Sequence, residues 1–394
     1  MLYQYSAECM GTPRTATDHR SRPPVADTQR PADAIQRALE LGARACVAQG
    51  WHAPEPEALH SAAAREVYRI VFEAIASDAG HDPAVAASLL EQSSATELIA
   101  VDKASRTEIL LLLEDITIEA AADRCRNAAN VLGDLHQVAL GFAVEHDGCR
   151  IRVAATEASR RRARGAFYTP PELVEHLLDS AMDPCVADLL DPAHQPTSDH
   201  RSSALSALLS IRLCDPTCGS GNFLVAAARR LGVTLAQRRG SVGDEDVEQA
   251  TADVIARCIF GVDIDSLAIA CCRLSLWLAS GGRVGAEHLA TRIRVGDALL
   301  DASLDSATDD DASDRFSWRS SFPNVLGPGA PGGVSGFDVV VGNPPFLNQL
   351  SHATSLTRRD AARLRSHTEG AVAGYADTAS ACLLRSTELC RPGG

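Results

Sequence analysis

Residues 336–346 read GFDVVVGNPPF, and this stretch decides the fold. Its apolar, β-branched run has no helical period and predicts a buried strand. The strand must stop at Gly342, because the two prolines that follow cannot donate to a sheet ladder. The loop beyond it carries the amide of Asn343 and the ring of Phe346. An amide oxygen and a flat ring suit a planar amino group, although an ordinary strand exit with a buried phenylalanine fits these residues equally well.

Three earlier apolar runs each predict a strand that ends in an acid: IRLCD at residues 211–215, IFGVD at 259–263 and IRVGD at 293–297. The first leads into a turn with Gly219 and Gly221, glycines that let the backbone approach a ligand. This turn matches neither the dinucleotide nor the phosphate-loop pattern, and a neighbouring acid suits a cation better than a phosphate. Because a doubly wound α/β sheet binds ligands at the carboxyl ends of its strands, we expect all four strand ends to meet in one crevice.

Residues 166–174, AFYTPPELV, predict the start of a helix. Thr169 would be the capping hydroxyl, prolines would fill the first turn, and Glu172 would lie near the positive end of the helix dipole. The dense basic run at residues 159–164 precedes this element, and such a run is usually a solvated face.

The order of these motifs resembles that of the gamma-class S-adenosylmethionine-dependent N6-adenine DNA methyltransferases, from about residue 165 to the end of the chain. The helical front resembles that of the large restriction–modification and phage-defence (BREX-like) methylases. The resemblance implies an α/β fold, with a Rossmann-like class I methyltransferase sheet preceded by an α-helical region. It also implies S-adenosylmethionine as cofactor, double-stranded DNA as partner, and methyl transfer to a flipped-out adenine.

The resemblance gives each motif residue a role. The implied catalytic set, which would hold the adenine amino group and stack on the base, is Asn343, Pro344, Pro345 and Phe346. The implied cofactor-binding set is Tyr168, Thr169, Pro170, Asp215, Gly219, Gly221, Asp263, Ile264 and Asp297. In this second set residues 168–170 line the methionine end, Asp215 pairs with the amino group, and Asp263 binds the ribose hydroxyls. Ile264 packs on the cofactor's adenine and Asp297 accepts from its amino group. Asp265 is as well explained as a helix cap.

Composition and periodicity predict a disordered lead at residues 1–32, an α-helical region at 33–155 and a flexible insertion at 301–336. The resemblance implies a partial catalytic domain at 156–394. Within the helical region, Asp33 is the expected first N-cap, and apolar periodicity predicts helices over residues 58–76, 83–91 and 107–134. Further on, residues 223–230 and 376–390 are predicted helices, and residues 187–210 and 235–250 are predicted loops.

In the resembled fold Arg391 introduces the fifth strand, so strands five to seven and a target-recognition domain are expected to be missing from this chain. A separate C-terminal or specificity subunit is therefore an expected partner. Two other functions fit the sequence. One is N-methylation of protein glutamine or of RNA, because those enzymes share Asn-Pro-Pro-aromatic. The other is a truncated, non-catalytic remnant or a cofactor-binding subunit that needs a partner chain.

Composition sets the remaining expectations. The 394 residues carry a net charge of −14, which argues against a chain that grips nucleic acid by itself. There is no apolar run long enough for a bilayer and no signal peptide, so a cytoplasmic location is expected. The twelve cysteines lack zinc-site spacing and are interpreted as core residues, so no metal is expected.

Overall fold

The computed structural model describes the following stretches of the chain: residues 30–49, 56–91, 101–122, 128–146, 150–155, 169–191, 200–300, 316–327, 335–344 and 378–393.

Six helices form the described N-terminal region: α1 Arg30–Ala48, α2 Pro56–Asp78, α3 Pro83–Glu91, α4 Lys103–Leu112, α5 Glu114–Ala122 and α6 Ala128–Ala139. The predicted N-cap at Asp33 is wrong, because the helix begins at Arg30 and Asp33 lies in its first turn. The single predicted helix over residues 107–134 is also wrong, since α4 ends where Leu113 leaves helical geometry. Buried aliphatic and aromatic side chains of α2, which include Tyr68 and Phe72, centre the core of this region.

A β-hairpin follows these helices, in a region for which the sequence predicts only helices. Strands β1 (Phe142–His146) and β2 (Ile151–Ala155) pair antiparallel, with Val144 opposite Val153. Both of these valines are buried, as expected on the inward face of a strand whose side chains point alternately inward and outward. The hairpin is joined to α1 by Gln36, whose Nε2 donates to the Val153 carbonyl at 2.8 Å.

The central sheet is parallel, as the sequence predicts. Its described strands are β3 Leu213–Asp215, β4 Ile259–Asp263, β5 Ile293–Val295 and β6 Val339–Val340. The spatial order is β5-β4-β3-β6, and each neighbouring pair is parallel. Strand β3 therefore lies between the next strand in sequence on one side and the last described strand on the other. The order of strands reverses between β3 and β6.

Helices cover the sheet: α7 Pro171–Leu189, α8 His200–Leu208, α9 Asn222–Arg239, α10 Asp244–Cys258, α11 Ser266–Ala279 and α12 Ala286–Arg292. The predicted loop at residues 235–250 is wrong, because α9 and α10 meet at a short turn there. The polar residues form the outer faces of two packed helices, and a methyl group on Gly232 would lie 2.3 Å from Thr251 Oγ1. The predicted loop at 187–210 likewise contains the end of α7 and all of α8.

An aromatic cluster packs against β4 and the start of β6. Two short helices, α13 (Trp318–Ser321) and α14 (Pro323–Leu326), bring Trp318 and Phe322 against Phe260 and Phe337. Trp318 is buried, and its indole N–H donates to the Ala298 carbonyl at 3.0 Å. The expected flexible insertion at 301–336 therefore contains a packed segment. Its three aromatic residues, Phe316, Trp318 and Phe322, are the sequence signal for this burial.

The last described helix, α15 (Thr378–Leu389), brings the chain back to the sheet. Cys390 forms a parallel bridge with Phe337, where the resemblance implies the start of a fifth strand, which stays a prediction. The buried Asp338 joins the two segments, since its carboxylate accepts from the Arg212 N–H at 2.7 Å and pairs with Arg391 at 2.6 Å. Within the described helices, none has both the length and the apolar character needed to cross a membrane.

Candidate active site

The candidate site lies at the carboxyl ends of β3 and β6. Because the strand order reverses between these two strands, a crevice opens there in a doubly wound sheet. The loop after β6 enters this crevice at Gly342, where a methyl group would lie 2.7 Å from Oδ1 of Asp215. The two loops that the sequence predicted to converge are therefore in contact.

Asp215 ends β3 as a buried acid with local backbone support. Its Oδ1 accepts from the Thr217 N–H at 2.9 Å, and the Thr217 hydroxyl lies 3.5 Å away. Burial raises the pKa of Asp215 to about 7, while the Thr217 N–H lowers it and the nearby Asp263 raises it. A buried carboxylate of this kind is stabilised by a cation placed beside it.

The glycine turn after β3 is tied to the neighbouring strand. The Cys218 N–H donates to the Val262 carbonyl at 3.0 Å, and the Gly219 N–H donates to Oδ2 of Asp263 at 2.9 Å. Gly219 has a φ of +52°, and a methyl group on it would meet nothing within 4 Å. Gly221, with a φ of +96°, ends the turn as the N-cap of α9. Backbone near Gly219 therefore faces open space beside the crevice.

Asp263 ends β4, and both of its oxygens accept from backbone amides: Gly219 on Oδ2 and Asp265 on Oδ1, the latter at 2.9 Å. Burial raises its pKa, and these two N–H groups lower it. Each carboxylate oxygen keeps a further lone pair that can accept from another donor. Asp265 caps α11 by accepting from the Leu267 and Ala268 N–H groups at 2.9 and 3.3 Å, so its cap interpretation is confirmed.

Two further predicted residues lie at neighbouring strand ends. The Ile264 side chain is 62% exposed, although it follows a buried strand, so its apolar surface is available for a flat ligand. Asp297 lies two residues beyond β5, and its Oδ1 accepts from the Leu299 and Leu300 N–H groups at 2.9 and 3.2 Å. The Gly296 N–H donates to the Asp263 carbonyl at 2.9 Å, which ties this loop to the end of β4.

Thr169 and Asn343 are joined by a hydrogen bond. The predicted capping role of Thr169 is wrong, because α7 begins after Pro170 and has no side-chain cap bond. The buried Thr169 hydroxyl instead accepts from Nδ2 of Asn343 at 3.1 Å. This bond fixes the amide with Nδ2 toward Thr169, which leaves Oδ1 for another donor. Tyr168, Pro345 and Phe346 lie outside the described residues.

The comparison with known families covers the strands that carry most of these residues. The profile of the family described as "Eco57I restriction-modification methylase" matches residues 257–394. Residues 257–394 are therefore similar to Eco57I-type restriction–modification methylases, and we refer to them as the methylase segment. The methylase segment contains four of the predicted site residues: Asp263, Ile264, Asp297 and Asn343. The order of the motifs in the sequence predicted a methylase at this part of the chain.

Two curated relatives with similar sequences are also named as methyltransferases. Adenine-specific methyltransferase PglX of Streptomyces coelicolor is 27% identical over 291 residues, which are 68% of this chain and 20% of the relative. DNA methyltransferase A of Bacillus subtilis is 26% identical over 135 residues, which are 34% of this chain and 15% of the relative. The chain therefore spans about a fifth, or less, of the length of these relatives.

The fold is also found among solved structures. The type IIL restriction–modification enzyme MmeI, determined in complex with DNA, aligns with a TM-score of 0.51 and 16% identity. The alignment covers 91% of this chain and 48% of MmeI, so it includes the helices that precede the methylase segment.

Sequence reasoning missed several residues that support the site. Thr217 holds Asp215, and its place two residues after a strand-ending acid is a common turn signal. His136 and Tyr68, on helices α6 and α2, lie behind the methylase segment's Asp265, and no local pattern indicates that proximity. Over the residues that the structure describes, no group of three or more His, Cys, Asp or Glu side chains is placed to hold a metal ion.

Proposed function

We propose that this chain provides the catalytic part of a site-specific DNA adenine-N6 methyltransferase that uses S-adenosylmethionine and acts in a restriction–modification or phage-defence system. The observation that carries the proposal is the placement of Asn343 and Asp215 across one crevice. Gly342 packs against the Asp215 carboxylate, and the next residue, Asn343, is oriented by Thr169. One crevice thus contains an acid suited to a cationic cofactor and an amide suited to an amino substrate.

The residues present fit the cofactor. Asp215 is a buried carboxylate with a raised pKa, and an ammonium group beside it would provide a counter-charge. Backbone at Gly219 borders open space, and exposed Ile264 offers an apolar face for a purine ring. Asp263 keeps lone pairs for ribose hydroxyls, and Asp297 would accept from the purine amino group. S-adenosylmethionine, when bound, supplies a methyl group activated by a sulfonium centre.

The chain's own contribution at the substrate is to hold an amino nitrogen. The lone pair of an adenine amino group is delocalised into the ring, so this nitrogen is a poor nucleophile. Two acceptors, Oδ1 of Asn343 and the carbonyl of Pro344, would hold its two N–H groups and favour a pyramidal nitrogen with a free lone pair. Positioning supplies much of such a rate enhancement, and no cysteine nucleophile is required.

Access to the base requires that it leave the duplex. A base inside the stack cannot reach a crevice at the end of a sheet, so the adenine would be flipped out. Stacking on Phe346 would offset part of the cost of unstacking, which is a few kcal/mol. We further propose that another subunit or segment supplies most of the DNA contacts, since a net charge of −14 leaves little electrostatic attraction for phosphates.

Two measurements test the proposal. Calorimetric titration with S-adenosylmethionine should show binding by the full chain and loss of binding in Asp263→Ala. Transfer of a labelled methyl group should then be assayed on duplex DNA, RNA and glutamine-containing peptides, with Asn343→Ala as the inactive control. Methylation of adenine in DNA is expected, if necessary after a C-terminal partner segment is added. Methylation of RNA or peptide alone would contradict the substrate, and failure of folded protein to bind the cofactor would contradict the whole proposal.

A further inference from the structure

The helical region contacts the glycine turn of the candidate site. On α6, a methyl group added to Gly133 would lie 2.7 Å from Oγ of Ser220. Ser220 is the residue between Gly219 and Gly221, so the α6 backbone lies directly behind the turn that borders the crevice. A methyl group at position 133 would require the Ser220 hydroxyl to move.

One helical turn further on, His136 lies between the helical region and the end of β4. Its Nε2 is 3.5 Å from Oδ2 of Asp265, and its Nδ1 is 3.0 Å from the Tyr68 hydroxyl. Tyr68 is 1% exposed and His136 is 5% exposed, so water does not compete for either contact. Burial raises the pKa of the Tyr68 phenol, which therefore keeps its proton. A neutral ring that accepts from Tyr68 at Nδ1 carries its proton on Nε2, toward Asp265.

Asp265 connects His136 to Asp263, the acid that we propose binds the cofactor. Its Oδ1 is occupied by the α11 cap, whereas its Oδ2 faces His136. Its own backbone N–H donates to Oδ1 of Asp263, whose Oδ2 accepts from Gly219. A continuous set of contacts therefore runs from Tyr68 through His136 to the Asp263 carboxylate and the glycine turn.

We propose that His136 is a positioning residue for the cofactor site, through which the helical region fixes the Asp263–Asp265 turn. This inference rests on the proposed function, and it gives the helical region a role in that function. A buried histidine that only fills space between two regions would need no donor directed at Asp265. A positioning role requires a donor at Nε2 that faces Asp265, whereas a space-filling role does not.

Two isosteric substitutions separate them. His136→Gln keeps an N–H group near the position of Nε2, whereas His136→Asn keeps its amide near Nδ1 and has no donor that reaches Asp265. We expect His136→Gln to bind S-adenosylmethionine within about threefold of wild type, and His136→Asn to bind about tenfold more weakly, because only the latter loses the polar contact with Asp265. Thermal unfolding of both variants checks that the difference does not follow from overall stability.

Hydrogen exchange measured by mass spectrometry without cofactor provides an independent readout. Peptides that contain the Gly219 and Asp265 amides should exchange faster in His136→Asn than in His136→Gln, while peptides from α10 should exchange equally. Equal exchange at the turn in both variants would overturn the inference, whatever the binding data show. If the wild type does not bind S-adenosylmethionine, the proposed function fails, but the exchange comparison still decides whether His136 positions the turn.

Discussion

The side-chain amide of Asn343 donates to the buried hydroxyl of Thr169 at 3.1 Å, although 174 residues separate them in sequence. The bond joins the segment just before α7 to the loop after β6. It also orients the amide, because Nδ2 is engaged by Thr169 whereas no donor among the described residues engages Oδ1. A substrate amino group can donate only to an acceptor, so this orientation suits the role that we propose for Asn343.

Removal of the Thr169 hydroxyl should therefore impair catalysis more than cofactor binding. Thr169→Val keeps the shape of the side chain but leaves Nδ2 of Asn343 without its acceptor. We expect kcat for adenine methylation to fall at least about tenfold, because the amide is free to rotate. The dissociation constant for S-adenosylmethionine should stay within about twofold of wild type.

Thr169→Ser, which restores the hydroxyl, is the matched control and should recover most of the activity. In a double-mutant cycle, Thr169→Val should add little to the loss already caused by Asn343→Ala. The resemblance instead places Thr169 at the methionine end of the cofactor. Weaker cofactor binding with normal kcat in Thr169→Val would support that role and contradict ours.

The sheet could be predicted from sequence because each strand has a local signature. Buried β-branched runs that end in Asp215, Asp263 or Gly342 need no tertiary information to be recognised. The hairpin β1–β2 was missed although Asp147-Gly148, a strong hairpin turn signal, lies between alternating apolar residues. The end of α9 and the start of α10 were missed because exposed positions outnumber buried ones over residues 235–250.

The sequence predicted the motif residues of the candidate site but not the contacts that hold them. Motif order indicated that Asp215, Asp263 and Asn343 share a crevice, since the carboxyl ends of parallel strands meet at one edge. The bond from Asn343 to Thr169 and the contact from His136 to Asp265 join elements that are distant in sequence. Such partners depend on how helices dock on the sheet, and no periodicity within either element determines that docking.

The exposed Ile264 offers a prediction that separates binding from folding. Its side chain is 62% exposed, so Ile264→Ser should change the free energy of unfolding by no more than about 0.5 kcal/mol. Cofactor affinity should fall about tenfold, because the purine loses an apolar contact worth roughly 1–2 kcal/mol. Calorimetry and chemical denaturation measure the two quantities. Ile118→Ser, at a 52% exposed position of α5, is the control and should leave affinity unchanged.

The contact between Gly342 and Asp215 gives a steric prediction. The methyl group of Gly342→Ala would lie 2.7 Å from Oδ1 of Asp215, which Thr217 holds in place. We expect a loss of about 1–3 kcal/mol in the free energy of unfolding and weaker cofactor binding. Gly285→Ala, where a methyl group meets nothing within 4 Å, should behave nearly as wild type in both measurements. Equal effects of the two substitutions would show that Gly342 does not pack against the acid.

The buried Asp215 links stability and cofactor binding to pH in opposite directions. Burial raises the pKa of Asp215 to about 7 in the folded chain, whereas an unfolded aspartate has a pKa of about 3.9. The folded state therefore binds more protons between these values, so this group's contribution to stability falls as pH rises from about 4 to about 7. Asp215→Asn removes the ionisation and should raise the free energy of unfolding at pH 8 by up to about 4 kcal/mol.

Cofactor binding should show the reverse dependence, because a cationic amino group requires the ionised form of Asp215. Wild-type affinity for S-adenosylmethionine is expected to fall by about tenfold or more between pH 7.5 and pH 5.5. Asp215→Asn should bind weakly at both pH values and lose most of that dependence. Denaturation and calorimetry at matched pH values measure both effects on the same protein samples. An Asp215→Asn variant that is both more stable and less able to bind would show that this acid is retained for its ligand at a cost to the fold.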